Sequence, residues 1–153
     1  MNIEIRDYCE GDQPFFDAFN RTWIEEMFRV EEVDDRVLRD PDSTILKQGG
    51  RILMADADGI PAGTVGLRLM NDGNFELTKM AVGKNYRRMG IAELLCKAAI
   101  RIAREHQTSV LYLYSNKKNE AAIMLYKKLG FVHTEVEPGV YERANVKMFL
   151  TLK

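Results

Sequence analysis

Three strand-like runs joined by short turns constrain the fold of this chain most strongly. The turns contain Asp58-Gly59 and Gly73, and the runs cover residues 51–56, 61–70 and 75–82. Turns this short, built on glycine beside aspartate or asparagine, connect strands that run in opposite directions. The segment is therefore predicted to form an antiparallel meander of three strands.

The apolar spacing before the meander predicts one strand and two helices. Ile3 and Ile5 alternate with polar residues, as in a strand, and a helix is predicted to begin near Asp12. Four large apolar side chains recur every four residues along that helix and are predicted to form one buried stripe: Phe15, Phe19, Trp23 and Met27. A second, short helix is predicted over residues 40–50.

The segment after the meander alternates between helix and strand patterns. The predicted elements are a helix over 90–106, a strand over 110–114, a helix over 119–129, and strands over 131–137 and 144–152. No repeat or linker interrupts this order in a chain of 153 residues. The chain is therefore predicted to fold as a single α/β (α+β) domain, residues 1–153, with a mixed sheet.

Composition and charge exclude several classes of function. The formal net charge of −1 argues against broad attraction to nucleic acid or anionic lipid. No apolar run approaches the roughly 20 residues that span a bilayer, and the N-terminal segment is too polar for a signal peptide. Cys9, Cys96, His106 and His133 lack metal-ligand spacing, so no metal site is predicted. We expect a cytoplasmic protein that binds neither nucleic acid nor membrane.

A cationic loop precedes the helix predicted over residues 90–106. Between Leu77 and Ala92 the sequence has no acid and four bases: Lys79, Lys84, Arg87 and Arg88. Small residues at the helix start leave the first backbone N–H groups accessible, and such a start binds phosphate. The loop contains neither G-x-x-x-x-G-K-[ST] nor G-x-G-x-x-G, which disfavours a nucleoside triphosphatase or a dinucleotide dehydrogenase. The alternative interpretation is a solvated basic loop.

Two motifs resemble those of the GNAT superfamily of acyl-CoA-dependent N-acetyltransferases. Residues 87–92, RRMGIA, match the pyrophosphate-loop pattern R/Q-x-x-G-x-G/A. Residues 119–131, NEAAIMLYKKLGF, resemble a second pattern, N-x-x-A-x-x-L-Y-x-x-x-G-F. The order of predicted elements is also that of the GNAT fold, and the segment YERA at 141–144 is similar to a branch of small single-domain GNAT proteins.

The resemblance implies a mixed, mostly antiparallel central sheet whose strands 4 and 5 splay apart, flanked by helices. The cleft between those strands would hold acetyl-CoA, the acyl donor, without a metal. The implied binding residues are Met80, Ala81 and Val82 for the pantetheine arm, Arg87, Arg88, Met89, Gly90, Ile91 and Ala92 for the pyrophosphate, and Asn119 and Tyr126 from the next helix. A homodimer is expected as well, since GNAT proteins commonly dimerise.

Two residues are candidates for proton transfer during acetyl transfer. An amine with a pKa of about 10.4 is mostly protonated near neutral pH, so a base is needed. The resemblance favours Glu76 as that base and Tyr126 as a proton donor; the alternatives are an outward-facing surface pair and a core tyrosine, respectively. His133 and Glu135, on the strand after Gly130-Phe131, are alternative candidates for the base, and His133 is also a candidate for contacting the acceptor. Cys96 lies in a stripe of small residues and is predicted to be a buried structural thiol.

Acids between residues 31 and 42 are candidates for binding the amine acceptor. An acidic wall would attract a cationic amine, although several of these acids are spaced for ordinary i to i+4 ion pairs with arginines. Glu31 and Asp34 remain as acceptor-binding candidates. The function indicated is acetyl transfer from acetyl-CoA to a small-molecule or protein amine. The alternatives are an acyl-CoA-binding sensor without turnover and, less favoured, a nucleic-acid-binding module.

Overall fold

The computed structural model describes residues 1–139 and 141–152, and its strands form one sheet. In chain order the strands are β1 (Ile3–Asp7), β2 (Arg51–Ala57), β3 (Ile60–Leu69), β4 (Phe75–Val82), β5 (Val110–Ser115), β6 (Val132–Thr134) and β7 (Val146–Thr151). The helices are α1 (Gln13–Met27), α2 (Glu32–Arg39), α3 (Ile91–Glu105) and α4 (Glu120–Lys128). The spatial order of the strands is β1-β2-β3-β4-β5-β7-β6, which puts β4 beside β5 in the interior of the sheet.

Strand pairing confirms the predicted meander and the predicted mixed sheet. The pairs β1–β2, β2–β3, β3–β4, β5–β7 and β6–β7 are antiparallel. The β4–β5 pair is parallel, because α3 returns the chain to the end of the sheet at which β4 begins, and β5 starts there. The fold is therefore a mostly antiparallel sheet flanked by helices, as the sequence predicts.

The segment before β2 differs from the prediction of one short helix. Helix α2 occupies Glu32–Arg39, and a π-helical turn follows at Asp42–Leu46. Pro41 separates them, because the residue before a proline avoids helical backbone angles, and Asp40 has φ −140° and ψ 68°. The short helix predicted over residues 40–50 is thus present as a shorter turn, and α2, which has its own start at Glu31, is an additional helix before it.

The buried face of α1 is offset by one residue from the predicted stripe. Phe15 and Met27 are 41% and 46% exposed, whereas the buried side chains of this helix are Phe16, Asn20 and Ile24. The polar residue Asn20 makes the buried face hard to recognise in the sequence. Asn20 can be buried because its side-chain amide donates a hydrogen bond to the Phe16 carbonyl oxygen at 2.9 Å. The predicted stripe is therefore wrong, and the other aromatic side chains of α1 are left partly accessible.

Strands β4 and β5 separate after three residue pairs. Phe75, Glu76 and Leu77 pair with β5, and the rest of β4 pairs with β3. A β-bulge shifts the register of β4 against β3, and Lys79 adopts a φ of 53° within it. The backbone of β4 from Thr78 onward therefore borders a cleft, which confirms the predicted splaying of strands 4 and 5.

Different helices cover the two faces of the sheet. Leu77 and Leu113 belong to the main core, which includes α3 and α4, and this side is termed the α3 face. Phe16 and Ile52 form a second core with α2 on the opposite side, termed the α1 face. Because side chains alternate along a strand, Glu76 projects to the α1 face, opposite to its neighbour Leu77.

Candidate active site

A cleft of about 370 Å³ lies where β4 and β5 separate, and residues from both faces of the sheet line it. Helices α3 and α4 contribute Ala92, Asn119, Ala122 and Tyr126. The α1 face contributes four aromatic side chains: Trp23, Phe28, Tyr114 and Tyr141. Strand β4 borders the cleft from Glu76 to Val82. The cleft therefore connects the two faces through the opening in the sheet.

Helix α3 begins on Gly90 without a side-chain cap. Gly90 has a φ of 79°, and helical hydrogen bonding begins where the Leu94 amide donates to the Gly90 carbonyl oxygen at 3.2 Å. A Cβ atom added at Gly90 would meet nothing within 4 Å, so the space in front of the helix start is open. In the described part of the chain, no side chain caps the first-turn N–H groups. This arrangement suits a bound anion.

Arg87, at the beginning of the loop before α3, is held by α1. Its guanidinium binds both carboxylate oxygens of Glu26, at 3.1 and 2.6 Å, and its Nε donates to the Val82 carbonyl oxygen at 3.4 Å. Lys79 does not join this loop, because its ammonium group is buried against Asp34. The loop is therefore less positive than its sequence suggests, and its backbone amides are the main groups for binding an anion.

Tyr126 and Asn119 line the cleft from the side of α4. The Tyr126 ring is buried and packs edge-on to Phe131, with ring centroids 5.8 Å apart. Burial and the neighbouring Cys96 raise the pKa of Tyr126 well above its usual value, so its hydroxyl remains protonated at neutral pH. Asn119 is the N-cap residue of α4, yet among the described residues its side chain makes no capping hydrogen bond. Its amide can bind a ligand in the cleft.

Glu76 is a buried carboxylate in the cleft wall. Its side chain is 1% exposed, and its two oxygens have different partners. Arg68 Nε donates to Oε1 at 2.8 Å, and the Tyr141 hydroxyl donates to Oε2 at 3.2 Å. The alternative of an outward-facing surface pair is therefore wrong, since this ion pair lies largely inside the protein. The two partners fix the orientation of the carboxylate.

Asp34 is the centre of a buried ion-pair cluster on the α1 face. It accepts Lys79 Nζ at 3.0 Å, Arg143 Nη1 and Nη2 at 2.5 and 2.9 Å, and the Glu31 amide at 2.9 Å. Burial opposes ionisation of this carboxyl, but hydrogen bonds from Arg143 and the charge of Lys79 outweigh it and lower the pKa of Asp34 to about 2. Glu31 also accepts a bond from Arg143, at 3.0 Å.

Glu31 and Asp34 lie behind the cleft wall. The residues that face the cleft in front of them are Lys79, Tyr141 and Arg143. The Lys79 ammonium and the Arg143 guanidinium lie 4.9 and 5.1 Å from the centroid of the Tyr141 ring. The expected acidic wall is therefore not part of the described cleft lining, because both acids are turned toward these cations.

Two other residues considered in the sequence lie away from the cleft. His133 is on the exposed strand β6, in a separate groove with Met124 and Asn145. Cys96 is fully buried in α3, which confirms the prediction of a buried thiol. Burial raises the pKa of Cys96 to about 12, so it is a poor nucleophile near neutral pH.

Sequence reasoning missed the parts of the site contributed by Arg68, Tyr141 and Arg143. Arg143 contacts Asp34 and Glu31 across 109 and 112 residues of sequence. No local spacing predicts such contacts. The relevant signal in the sequence is the YERA segment, which contains Tyr141 and Arg143. Its similarity to small GNAT proteins singles it out but does not indicate which residues it contacts.

A match to a protein family decides what kind of protein this is. The model of the Acetyltransferase (GNAT) family matches residues 13–131, which is more than half of the chain. The chain belongs to the GNAT family. One GNAT relative is “Probable N-acetyltransferase camello” from Xenopus tropicalis, 30% identical over 97 residues, or 62% of this chain and 44% of that protein. The chain thus spans less than half the length of this relative.

Solved GNAT structures share the fold over nearly the whole chain. An acetyltransferase of the GNAT family from Staphylococcus aureus Mu50 superposes with a TM-score of 0.89 at 22% identity, covering 99% of this chain and 100% of that one. The structure of yncA from Salmonella typhimurium, which contains its cofactor acetyl-CoA, gives a TM-score of 0.78 at 20% identity and covers 100% and 95%. These likenesses confirm the predicted GNAT fold.

Two further features of the chain concern membranes and metals. Within residues 1–139 and 141–152, no helix combines the length and apolar character needed to cross a bilayer. The same residues contain no group of three or more His, Cys, Asp or Glu side chains that could hold a metal ion.

Proposed function

We propose that this GNAT protein transfers the acetyl group of acetyl-CoA to the nitrogen of a primary amine, by direct attack while both substrates are bound. The observation that carries the proposal is the cleft between β4 and β5, with Tyr126 on its α3 face and Glu76 on its α1 face. A thioester that enters from the first face meets an amine that enters from the second. The presence of acetyl-CoA in the yncA structure supports the choice of donor.

The α3 face has the groups that acetyl-CoA requires. The amides from Arg87 to Ala92 would bind the pyrophosphate, because the first turn of α3 is uncapped and Gly90 leaves room in front of it. Backbone groups of Met80, Ala81 and Val82 would bind the pantetheine arm along the open side of β4. Asn119 would contact the same arm from α4.

Glu76 is the proposed base. The carboxylate has about four acceptor positions, of which Arg68 and Tyr141 use two, so an amine can still donate to it. Removal of a proton from the ammonium form produces the nucleophile, since an amine with a pKa of about 10.4 is otherwise mostly protonated. Glu76 takes this proton before the neutral amine attacks the carbonyl carbon of the thioester.

Tyr126 is the proposed hydrogen-bond donor to the leaving sulfur. Acetyl-CoA, when bound, supplies the thioester: the amine adds to its carbonyl carbon to give a tetrahedral oxyanion, and the C–S bond then breaks to release the CoA thiolate. A thiol has a pKa of about 8.5, far below that of the buried Tyr126, so the tyrosine stabilises the thiolate by donating a hydrogen bond and keeps its own proton. N–H groups near the β4 bulge would stabilise the oxyanion.

Direct attack is favoured over an acyl-enzyme on Cys96. That thiol is fully buried, and its pKa of about 12 keeps it protonated at neutral pH. A covalent intermediate on it would require both exposure and ionisation. We therefore expect the rate to depend on both substrates at once, without transfer of acetyl to the protein.

The test is release of free CoA thiol from acetyl-CoA in the presence of a panel of primary amines, with mass spectrometry of the product. Amine-dependent thiol release together with N-acetylated product supports the proposal. Calorimetric binding of acetyl-CoA without amine-dependent release across the panel contradicts turnover and indicates a sensor. Labelling of the protein by [¹⁴C]acetyl-CoA in the absence of amine contradicts direct attack.

A further inference from the structure

We infer that the acceptor is a monoamine carried on a flat apolar group, which packs between two aromatic pairs on the α1 face of the cleft. This inference rests on the proposed function and deepens it by naming the class of acceptor. One pair is Trp23 with Phe28, from the end of α1 and the residue after it. The other pair is Tyr114 with Tyr141, from β5 and the segment before β7.

The aromatic pairs come from separate parts of the chain and line the same cleft. The ring centroids of Trp23 and Phe28 are 6.4 Å apart, and those of Tyr114 and Tyr141 are 6.0 Å apart. All four residues are only partly buried, so ring surface is exposed to the cleft. Aromatic side chains prefer edge-to-face or offset contact with another ring, which favours a flat apolar occupant.

The charges around the cleft argue against an acceptor with several positive charges. Among the described residues, Glu76 is the only acid in the lining, and it is paired with Arg68. The lining also contains Lys79 and Arg143, and Lys118 Nζ lies 5.6 Å from the centroid of the Phe28 ring. A linear polyamine would bring further cations next to these bases without an acid to pair with them.

Lys79 and Arg143, the two bases in the lining near Glu76, are not free to bind an acceptor carboxylate. Lys79 is bound to Asp34, and Arg143 is bound to Asp34 and Glu31. An amino acid would need one of these cations to leave a buried carboxylate, which is costly. The cleft therefore offers one place for an amine, beside Glu76, and otherwise aromatic surface.

Calorimetry with three amines tests the inference directly, because it does not require turnover. 2-Phenylethylamine, 1,4-diaminobutane and L-phenylalanine are titrated separately into the protein, with and without CoA. We expect 2-phenylethylamine to bind at least about tenfold more tightly than either of the others, because 1,4-diaminobutane lacks a phenyl ring to bury and L-phenylalanine brings a carboxylate for which the cleft has no free partner. Equal or tighter binding of 1,4-diaminobutane or L-phenylalanine would overturn the inference.

Fluorescence locates the bound amine, because Trp23 is the single tryptophan of the chain. With excitation at the red edge of tryptophan absorption, 2-phenylethylamine should change the emission with the same saturation curve as calorimetry. The variant Phe28→Leu should weaken its binding about tenfold, whereas Met27→Ala, an exposed neighbour on α1, should not. Saturation without any emission change, or equal effects of both variants, would place the amine elsewhere and contradict the inference.

Turnover separates failure of the inference from failure of the proposed function. If 1,4-diaminobutane is acetylated more efficiently than 2-phenylethylamine, the protein is an amine acetyltransferase and the inferred acceptor class is wrong. If no amine is acetylated, the proposed function fails, and the binding preference still decides whether the aromatic pairs hold a flat monoamine.

Discussion

The starts of helices α2 and α3 satisfy the same requirement in opposite ways. Each has first-turn N–H groups without partners inside the helix. At α2, Glu31 and Asp34 form a capping box, in which each side chain accepts the backbone amide of the other residue. At α3, Gly90 brings no side chain. The protein closes the first helix start itself, and we propose that the acyl donor occupies the second.

This difference separates the two sides of the cleft. Around the closed start, Asp34 and Arg143 neutralise each other, and aromatic rings face the cleft. Around the open start, no described side chain caps the first turn, and the space at the Cβ position of Gly90 is open. We infer that the backbone amides at the start of α3 select the donor on the α3 face, whereas aromatic surface selects the acceptor on the α1 face. The predictions that follow weaken one side at a time.

The largest effect is expected from removing Asp34, which forms part of the capping box at the start of α2. Asp34→Ala leaves Lys79 buried without its acid and Arg143 with Glu31 alone, which should lower the free energy of unfolding by about 3–5 kcal/mol. Urea unfolding measures this change. Glu32→Ala, an exposed acid in the same first turn, is the matched control and should change little. Equal changes in the two variants would contradict a special role for Asp34.

The ion-pair cluster around Asp34 should also make the free energy of unfolding depend on pH, in a direction that the pKa of Asp34 defines. The pKa of Asp34 is lowered to about 2, below its unfolded value of about 3.9, so its ionised form stabilises the folded state. This contribution is complete above about pH 5 and is lost as the pH falls through about 4 toward 2. The stability difference between wild type and Asp34→Asn should therefore shrink from pH 6 to pH 3. A difference that is constant over this range would refute the account of the cluster.

The next effect concerns the chemistry on the α1 face. Glu76→Gln keeps the size of the side chain and removes the base, so kcat/KM should fall about 100-fold. Acetyl-CoA affinity, measured by calorimetry, should stay unchanged because Glu76 lies on the opposite face from α3. Glu76→Asp keeps a carboxylate and should retain more activity than the amide. A loss of less than about threefold in Glu76→Gln would exclude the proposed base.

A smaller effect is expected on the α3 face at Tyr126. Tyr126→Phe removes one hydrogen bond to the developing thiolate, so kcat should fall about tenfold with unchanged acetyl-CoA affinity. Tyr112→Phe, on β5 and outside the cleft lining, is the matched control. Because Tyr126 keeps its proton, wild type should show no loss of activity from its ionisation below about pH 10. An unchanged kcat in Tyr126→Phe would remove the tyrosine from the mechanism.

The smallest effect is expected at Arg87, although its charge is prominent in the sequence of the loop before α3. Arg87 is already paired with Glu26, so Arg87→Gln should weaken acetyl-CoA binding only about threefold. Calorimetry at two salt concentrations measures this change. A loss of 100-fold or more would mean that Arg87 leaves Glu26 to bind the phosphates, and that side-chain charge, not the backbone, selects the donor.

The sequence predicted the donor side better than the acceptor side for a physical reason. The start of α3 is local: Arg87, Gly90 and Ala92 lie within six consecutive residues, so spacing alone describes it. Glycine turns likewise fixed the meander, since turn geometry depends on a few adjacent residues.

The acceptor side depends on contacts that no local pattern contains. Arg143 reaches Asp34 and Glu31 from the far end of the chain, and Tyr141 reaches Glu76. Glu31 and Asp34 were predicted to bind the acceptor because the sequence does not show which cations pair with them. The stripe on α1 failed for a similar reason, since buried Asn20 is satisfied by its own helix.

The measurement that tests the central claim most directly is calorimetric titration of acetyl-CoA into Gly90→Asp and Gly59→Asp. Both glycines have similar positive φ, 79° and 83°, and open space at the Cβ position, so the two variants share the same backbone strain. Only Gly90→Asp puts a carboxylate before the first turn of α3, where it would occupy the anion site. We predict that Gly90→Asp loses measurable acetyl-CoA binding while Gly59→Asp binds like wild type. Wild-type affinity in Gly90→Asp would contradict the claim that the open start of α3 binds the donor.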